Sequence, residues 1–127
     1  MKLDTPEEQQ MTPESSHFVF AEQIPVEEVG PGVNRQILGH NRELMVVRVE
    51  FATGSEGYVH EHYHSQVSYV ESGEFDVNVN GVIKRLKAGD SFYIPPNLPH
   101  GAVCIKSGVL LDVFSPHRED FLSGDPS

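Results

Sequence analysis

Short apolar runs that alternate with polar residues, each closed by a turn signal within a few positions, constrain this chain more than any other feature. In residues 44–51, Met45, Val47, Val49 and Phe51 alternate with Leu44, Val46, Arg48 and Glu50, which is the period of a strand. The turn Gly39-His40-Asn41-Arg42 joins this run to residues 33–38 as a hairpin. In residues 75–79, Phe75, Val77 and Val79 alternate with Asp76 and Asn78, and Asn80-Gly81 follows. Asn-Gly between two such runs is the strongest short hairpin signal, so residues 82–86 return alongside. Further strands are expected at 18–20, at 67–70, separated from 75–79 by Gly73, and at 91–94. Residues 100–105 and 109–114 are expected as a last pair around Lys106-Ser107-Gly108. Only residues 118–122 suggest a helical turn. Many short strands with regular turn signals predict an all-β sandwich or small barrel, best matched by an antiparallel jelly roll.

A chain of 127 residues is enough for one domain with its own core. Residues 1–16 are polar and acidic and hold too little apolar surface to offset their ordering entropy. They are expected as a disordered or loosely docked tail, residues 17–122 as the barrel, and residues 123–127 as a second flexible end. Nine Lys and Arg against nineteen Asp and Glu give a net charge of −10. That balance argues against a nucleic-acid partner and against an anionic membrane surface. It leaves room for a small anionic substrate met by one well-placed Arg. The single cysteine, Cys104, is expected to be a small buried hydrophobe. One cysteine, no secretory-type apolar stretch at the start and no apolar run near the roughly 20 residues that span a bilayer make the cytoplasm the expected location.

Three of seven histidines crowd into His60-Glu61-His62-Tyr63-His64. On an unbroken strand His60, His62, His64 and Gln66 share one face. Imidazoles converging inside a barrel can hold a divalent metal ion. A further donor must come from elsewhere, and His100 is the best candidate because the Pro-rich loop before it fixes its approach. A lone His-x-His pair would read as an ordinary solvated strand face. Here it sits in a longer frame: Gly54, five residues, His60, one residue, His62, three residues, Gln66, six residues, Gly73. A second frame follows: Gly89, five residues, Pro95, four residues, His100.

These two frames resemble the two motifs of the single-domain cupins. The resemblance implies a cupin-type jelly-roll β-barrel with one divalent transition metal ion per chain, whether nickel, zinc, manganese or iron. It implies His60, His62, Gln66 and His100 as the ligands. His64, on the same face but at a position the motif does not use, is expected beside the site. The chain departs from the pattern at Gln66, which replaces a Glu, at Asn97, which replaces a Gly, and at Cys104, which replaces an Asn. A neutral amide oxygen leaves more net charge on the metal, which favours Lewis-acid chemistry over high-valent iron.

The final strand adds Leu111-Asp112-Val113-Phe114-Ser115-Pro116-His117-Arg118-Glu119-Asp120-Phe121. If Leu111 and Val113 face outward, Asp112 faces the interior. A carboxylate there is costly unless it is paired or functional, and beside a metal it can serve as a general acid or base. Arg118 can clamp a carboxylate bidentately; Arg35 and Arg48 are equally inward candidates by alternation. With the His-x-His-x-His-x-Gln and Ile-Pro-Pro-Asn-x-Pro-His-Gly runs, this segment resembles the pectin-degradation cupins called KdgF. That resemblance implies ring opening and ketonisation of 4,5-unsaturated monouronates from pectin or alginate breakdown. It implies Asp112, Phe114 and Arg118 as active-site residues, with Arg48 a further candidate for the substrate, and a homodimer. The alternatives are a small-ligand-binding cupin without turnover, and a cupin dioxygenase or isomerase acting on another keto or hydroxy acid.

Overall fold

The computed structural model describes residues 14–122; residues 1–13 of the tail expected over 1–16, and the end expected at 123–127, lie outside them. Eight strands follow in order: β1 (Glu27–Gly30), β2 (Val33–His40), β3 (Met45–Phe51), β4 (Glu56–His60), β5 (Ser65–Val79), β6 (Val82–Lys87), β7 (Ser91–Ile94) and β8 (His100–Ser115). A short helix, α1 (Glu119–Leu122), closes the described chain. Every strand pair is antiparallel. The fold is the all-β jelly-roll barrel expected from the alternation.

Two long strands organise it. The first part of β5 pairs with β7, and its second part with β6. The first part of β8 pairs with β4, and its second part with β3, which leads on to β2 and β1. Since β5 and β8 pair with each other along most of their length, they belong to two sheets at once. Residues 100–105 and 109–114 are therefore one bent strand and not a hairpin. The bend falls where the two strands touch most closely. A Cβ on Gly108 would lie 2.0 Å from the Ser72 carbonyl oxygen, and one on Gly73, at φ +81°, would lie 2.5 Å from that of Lys106. Only glycine allows this approach, so these glycines mark bends where local sequence suggested turns.

Hairpin β2–β3 forms as expected, running on to His40. Asn80 and Gly81 both take positive φ in the β5–β6 turn, as an Asn-Gly hairpin requires. Residues 18–20 are not a strand; Phe18 and Phe20 are exposed, because three residues without a pairing partner cannot satisfy a ladder. Strand β1, a polar edge strand without alternation, gave no sequence signal. Ser15 is hydrogen-bonded to His40 in both directions.

Met45, Val47, Val49 and Phe51 of β3 turn inward against Val70, Phe75, Val77, Cys104, Leu110 and Phe114. Phe51 meets Phe75 edge-on at 5.2 Å. Cys104 is part of this core, as expected. Several of these side chains, among them Val47, Val49, Phe51, Leu110 and Phe114, also line a cavity of about 370 Å³, a size suited to a small ligand.

Candidate metal centre

Three histidines meet at the cavity wall. His60 ends β4, His100 begins β8 as its register partner, and His62 lies in the segment between β4 and β5. The strand expected to carry His60 through Gln66 is thus broken after His60, and the chain's return brings His62 back to the others. Their ring centroids lie 4.5–5.5 Å apart, and one nitrogen from each falls within 4.8 Å of the other two. The Asn97 N–H donates to the His62 carbonyl at 2.7 Å, tying the proline loop to this segment. Asn97 has φ +64°, which accounts for its replacing a glycine, because Asn tolerates the left-handed region better than most residues.

The tautomers follow from the neighbours. Nδ1 of His60, His62 and His100 faces the carbonyl oxygens of Tyr58, His64 and Leu98 at 2.8, 3.1 and 2.9 Å respectively. A carbonyl only accepts, so each Nδ1 carries the proton and each Nε2 presents a lone pair inward. Burial, reinforced by the Arg118 charge, lowers the His62 pKa to about 4, and burial lowers that of His100. Both are neutral, the form that ligates metal, at pH 7.

Gln66, the second residue of β5, is buried, and its Oε1 lies 3.0 Å from His62 Nε2. Two lone pairs then face each other with no proton between them. Among the described residues, the buried His100 Nε2 has no hydrogen-bond partner. A cation bound by all of these atoms would resolve both anomalies. Three imidazoles and one amide oxygen fit a divalent transition metal ion.

The opposite wall comes from β8 and the turn after it. Asp112 and Phe114 share the inward face, and both line the cavity. The Asp112 carboxylate is enclosed by protein but open to the cavity. Its pKa rises from 3.8 to about 6 through burial, opposed by a hydrogen bond from Ser68 and the Arg118 charge. Arg118 is buried, lines the cavity and grips Asp120 through Nε and Nη2 at 3.1 and 2.8 Å. Phe121 lies between two guanidinium groups, 3.9 Å from Arg35 and 4.1 Å from Arg118. Arg35 is buried and also lines the cavity.

The cupin domain family matches residues 47–114, more than half of the chain. The chain belongs to the cupin family. This cupin is 43% identical over 107 residues to the pectin degradation protein KdgF of Dickeya dadantii (strain 3937), covering 83% of this chain and 97% of that one. Among solved structures it resembles an RmlC-like cupin from Shewanella frigidimarina NCIMB 400 at 60% identity and TM-score 0.84, over 87% of this chain and 99% of that one. It also resembles KdgF from Halomonas sp. at 37% identity and TM-score 0.80, over 84% and 99% of the two chains.

The cupin's cavity brings together His60, Gln66, His100, Asp112, Phe114 and Arg118, with His62 beside them. It does not bring in Arg48, which corrects the expectation that this residue meets the substrate. Val47 and Val49 take the inward positions of β3, so Arg48 faces out and pairs with Glu50 at 3.0 Å and Glu71 at 3.9 Å. His64 stands outside the triad. It stacks on Tyr63 at 4.0 Å, and its Nε2 is 3.6 Å from Glu119 Oε2. Ser68 and Phe121 were not expected. Ser68 could have been found by counting two positions on from Gln66 along one strand face.

Proposed function

We propose that this cupin opens the ring of 4,5-unsaturated monouronates and ketonises them to linear 4-deoxy-5-keto uronates, with His60, His62, Gln66 and His100 holding one divalent metal ion. The observation that carries the reading is Asp112: a half-buried carboxylate with its pKa raised to about 6, lining the same cavity as the donor cluster and Arg118. The likeness to KdgF selects the substrate class. When bound, the metal supplies Lewis-acid stabilisation of the negative charge that develops on the substrate oxygen.

The residues of the chain do the rest. Asp112 accepts the proton of the C1 hydroxyl as the C1–ring oxygen bond breaks. C1 becomes an aldehyde, and the former ring oxygen becomes an enolate oxygen on C5. Asp112 returns the proton to C4, and the C5 enolate becomes a ketone; atoms and charge balance without a redox step. A carboxyl group with pKa near 6 serves both as acceptor and as donor close to neutral pH. Arg118, held by Asp120, receives the substrate carboxylate, and Phe114 forms the apolar wall that keeps water from the enol.

We further propose a cytoplasmic homodimer. The outward faces of β5, β7 and β8 expose Val67, Tyr69, Tyr93 and Val113, which register places side by side; covering them is worth more than solvating them. Light scattering tests the dimer. The activity is tested by the ultraviolet absorbance of an unsaturated monouronate. Metal-loaded protein should accelerate its loss, and no acceleration with any of nickel, zinc, manganese or iron would reject the reading.

A further inference from the structure

Ser68 is fully buried on the inward face of β5, two residues beyond Gln66 and in register with Asp112. Its Oγ lies 2.8 Å from Gln66 Nε2 and 2.5 Å from Asp112 Oδ1. A hydroxyl has one proton to give, and an ionised carboxylate only accepts. The Ser68 proton therefore goes to Asp112, and toward Gln66 the hydroxyl oxygen can only accept. That requires Gln66 to turn its NH2 to Ser68 and its carbonyl oxygen to His62 Nε2. An amide with the opposite orientation would aim two donors at the histidine lone pairs and repel a cation.

We propose that Ser68 is a positioning residue that sets which end of the Gln66 amide faces the metal. The inference rests on the metal reading of this centre and does not depend on which sugar is turned over. A carboxylate at position 66 has two equivalent oxygens and no end to choose. The role of Ser68 should therefore disappear when residue 66 is Glu, whereas a purely structural role would persist.

The test is a double-mutant cycle on the full chain, with cobalt(II) as the probe. Affinity is read by chelator competition and ligand geometry by the cobalt d–d absorption. Ser68→Ala should weaken cobalt binding by about 10–100-fold, the usual cost of losing a group that orients a ligand, and should change the spectrum. In a Gln66→Glu background the same substitution should cost no more than about twofold, so that the cycle reports the coupling expected of two residues in contact. Ser68→Thr keeps the hydroxyl and should retain the parent spectrum, which also gives a readout if the Ala variant folds poorly. Parent-like affinity in Ser68→Ala, or equal losses in both backgrounds, would overturn the inference while leaving the metal centre standing. A parent chain that takes up no cobalt at this centre would overturn both.

Discussion

Replacing Asp112 with Asn should make the protein more stable and nearly inactive, and the stability gain should depend on pH in a way set by one buried group. Burial raises the Asp112 pKa from 3.8 to about 6, so the folded state prefers the neutral acid. The sign follows. Below pH 4 the carboxyl is protonated in both the folded and unfolded chains and costs nothing. As pH rises from about 4 to 6 the unfolded chain ionises while the folded chain keeps its proton, and stability falls; above 6 both are ionised and the loss is complete. Each pH unit between the two pKa values is worth about 1.4 kcal/mol, which makes about 3 kcal/mol the upper limit. The open cavity lets water screen part of the charge, so about 1–3 kcal/mol is expected. For a chain of this size that is a Tm rise of roughly 4–12 °C at pH 8. Asn keeps an oxygen to accept from Ser68. The measurement is thermal unfolding of parent and Asp112→Asn in chelator from pH 4 to 8, read as a difference curve. Both proteins carry the same histidines, so their titrations largely cancel. The curve should be flat and near zero at pH 4, rise through pH 5–6 and level off. Turnover of an unsaturated monouronate should fall by about 10²–10⁴-fold. Equal stability at pH 8, or a difference that does not change with pH, would refute the argument that ionised Asp112 is held against its solvation.

His60→Ala and His100→Ala each remove a donor from the cluster and should weaken metal binding, measured by chelator competition, beyond the roughly 10–100-fold cost of losing a supporting group. His64→Ala, outside the triad, should stay within that range. Arg118→Lys abolishes the two-point grip on Asp120 and the stacking on Phe121, and should raise KM about tenfold or more. Arg48→Ala, on the outer face, should leave kcat/KM within about twofold. Gly108→Ala places a Cβ against the Ser72 carbonyl and should cost at least about 3 kcal/mol in denaturant unfolding; a smaller loss would show that the bend of β8 is pliable.

The fold was legible wherever side chains alternate against one core. Strand β3 shows this best: its own pattern, with Met45, Val47, Val49 and Phe51 inward, already turns Arg48 outward, so the signal against Arg48 was present. What could not be read is the difference between a turn and a bend. Gly73 and Lys106-Ser107-Gly108 have turn composition, yet each lies within a continuous strand because the other strand presses against it. That is a property of two segments about 35 residues apart, and neither segment states it alone. Among the site residues, the spacing of histidines and Gln66 was informative even though the unbroken-strand argument was not. The chain leaves β4 at His60, and the donors meet through the return of the loop. Phe121 was unreadable for the same reason as the bend, since only the folded chain places it between Arg35 and Arg118.

An acidic protein that receives an anion needs a local reversal of charge, and this cavity has one. The donors at one wall are imidazoles and an amide, none of which brings a negative charge, so a bound divalent ion would keep its charge. Arg35 and Arg118 line the same space. At physiological ionic strength a surface carboxylate is largely screened beyond about 8 Å, whereas groups inside a cavity are screened much less. The net charge of −10 therefore says little about what the cavity binds. Asp112 is a negative group in that positive setting, and burial offsets the arginine charge enough to keep its pKa near 6. An Asp governed by Arg118 alone would have its pKa lowered and would become a poor proton donor. Desolvation and the nearby cation push in opposite directions, and desolvation prevails by enough to suit a group that must take a proton and give it back.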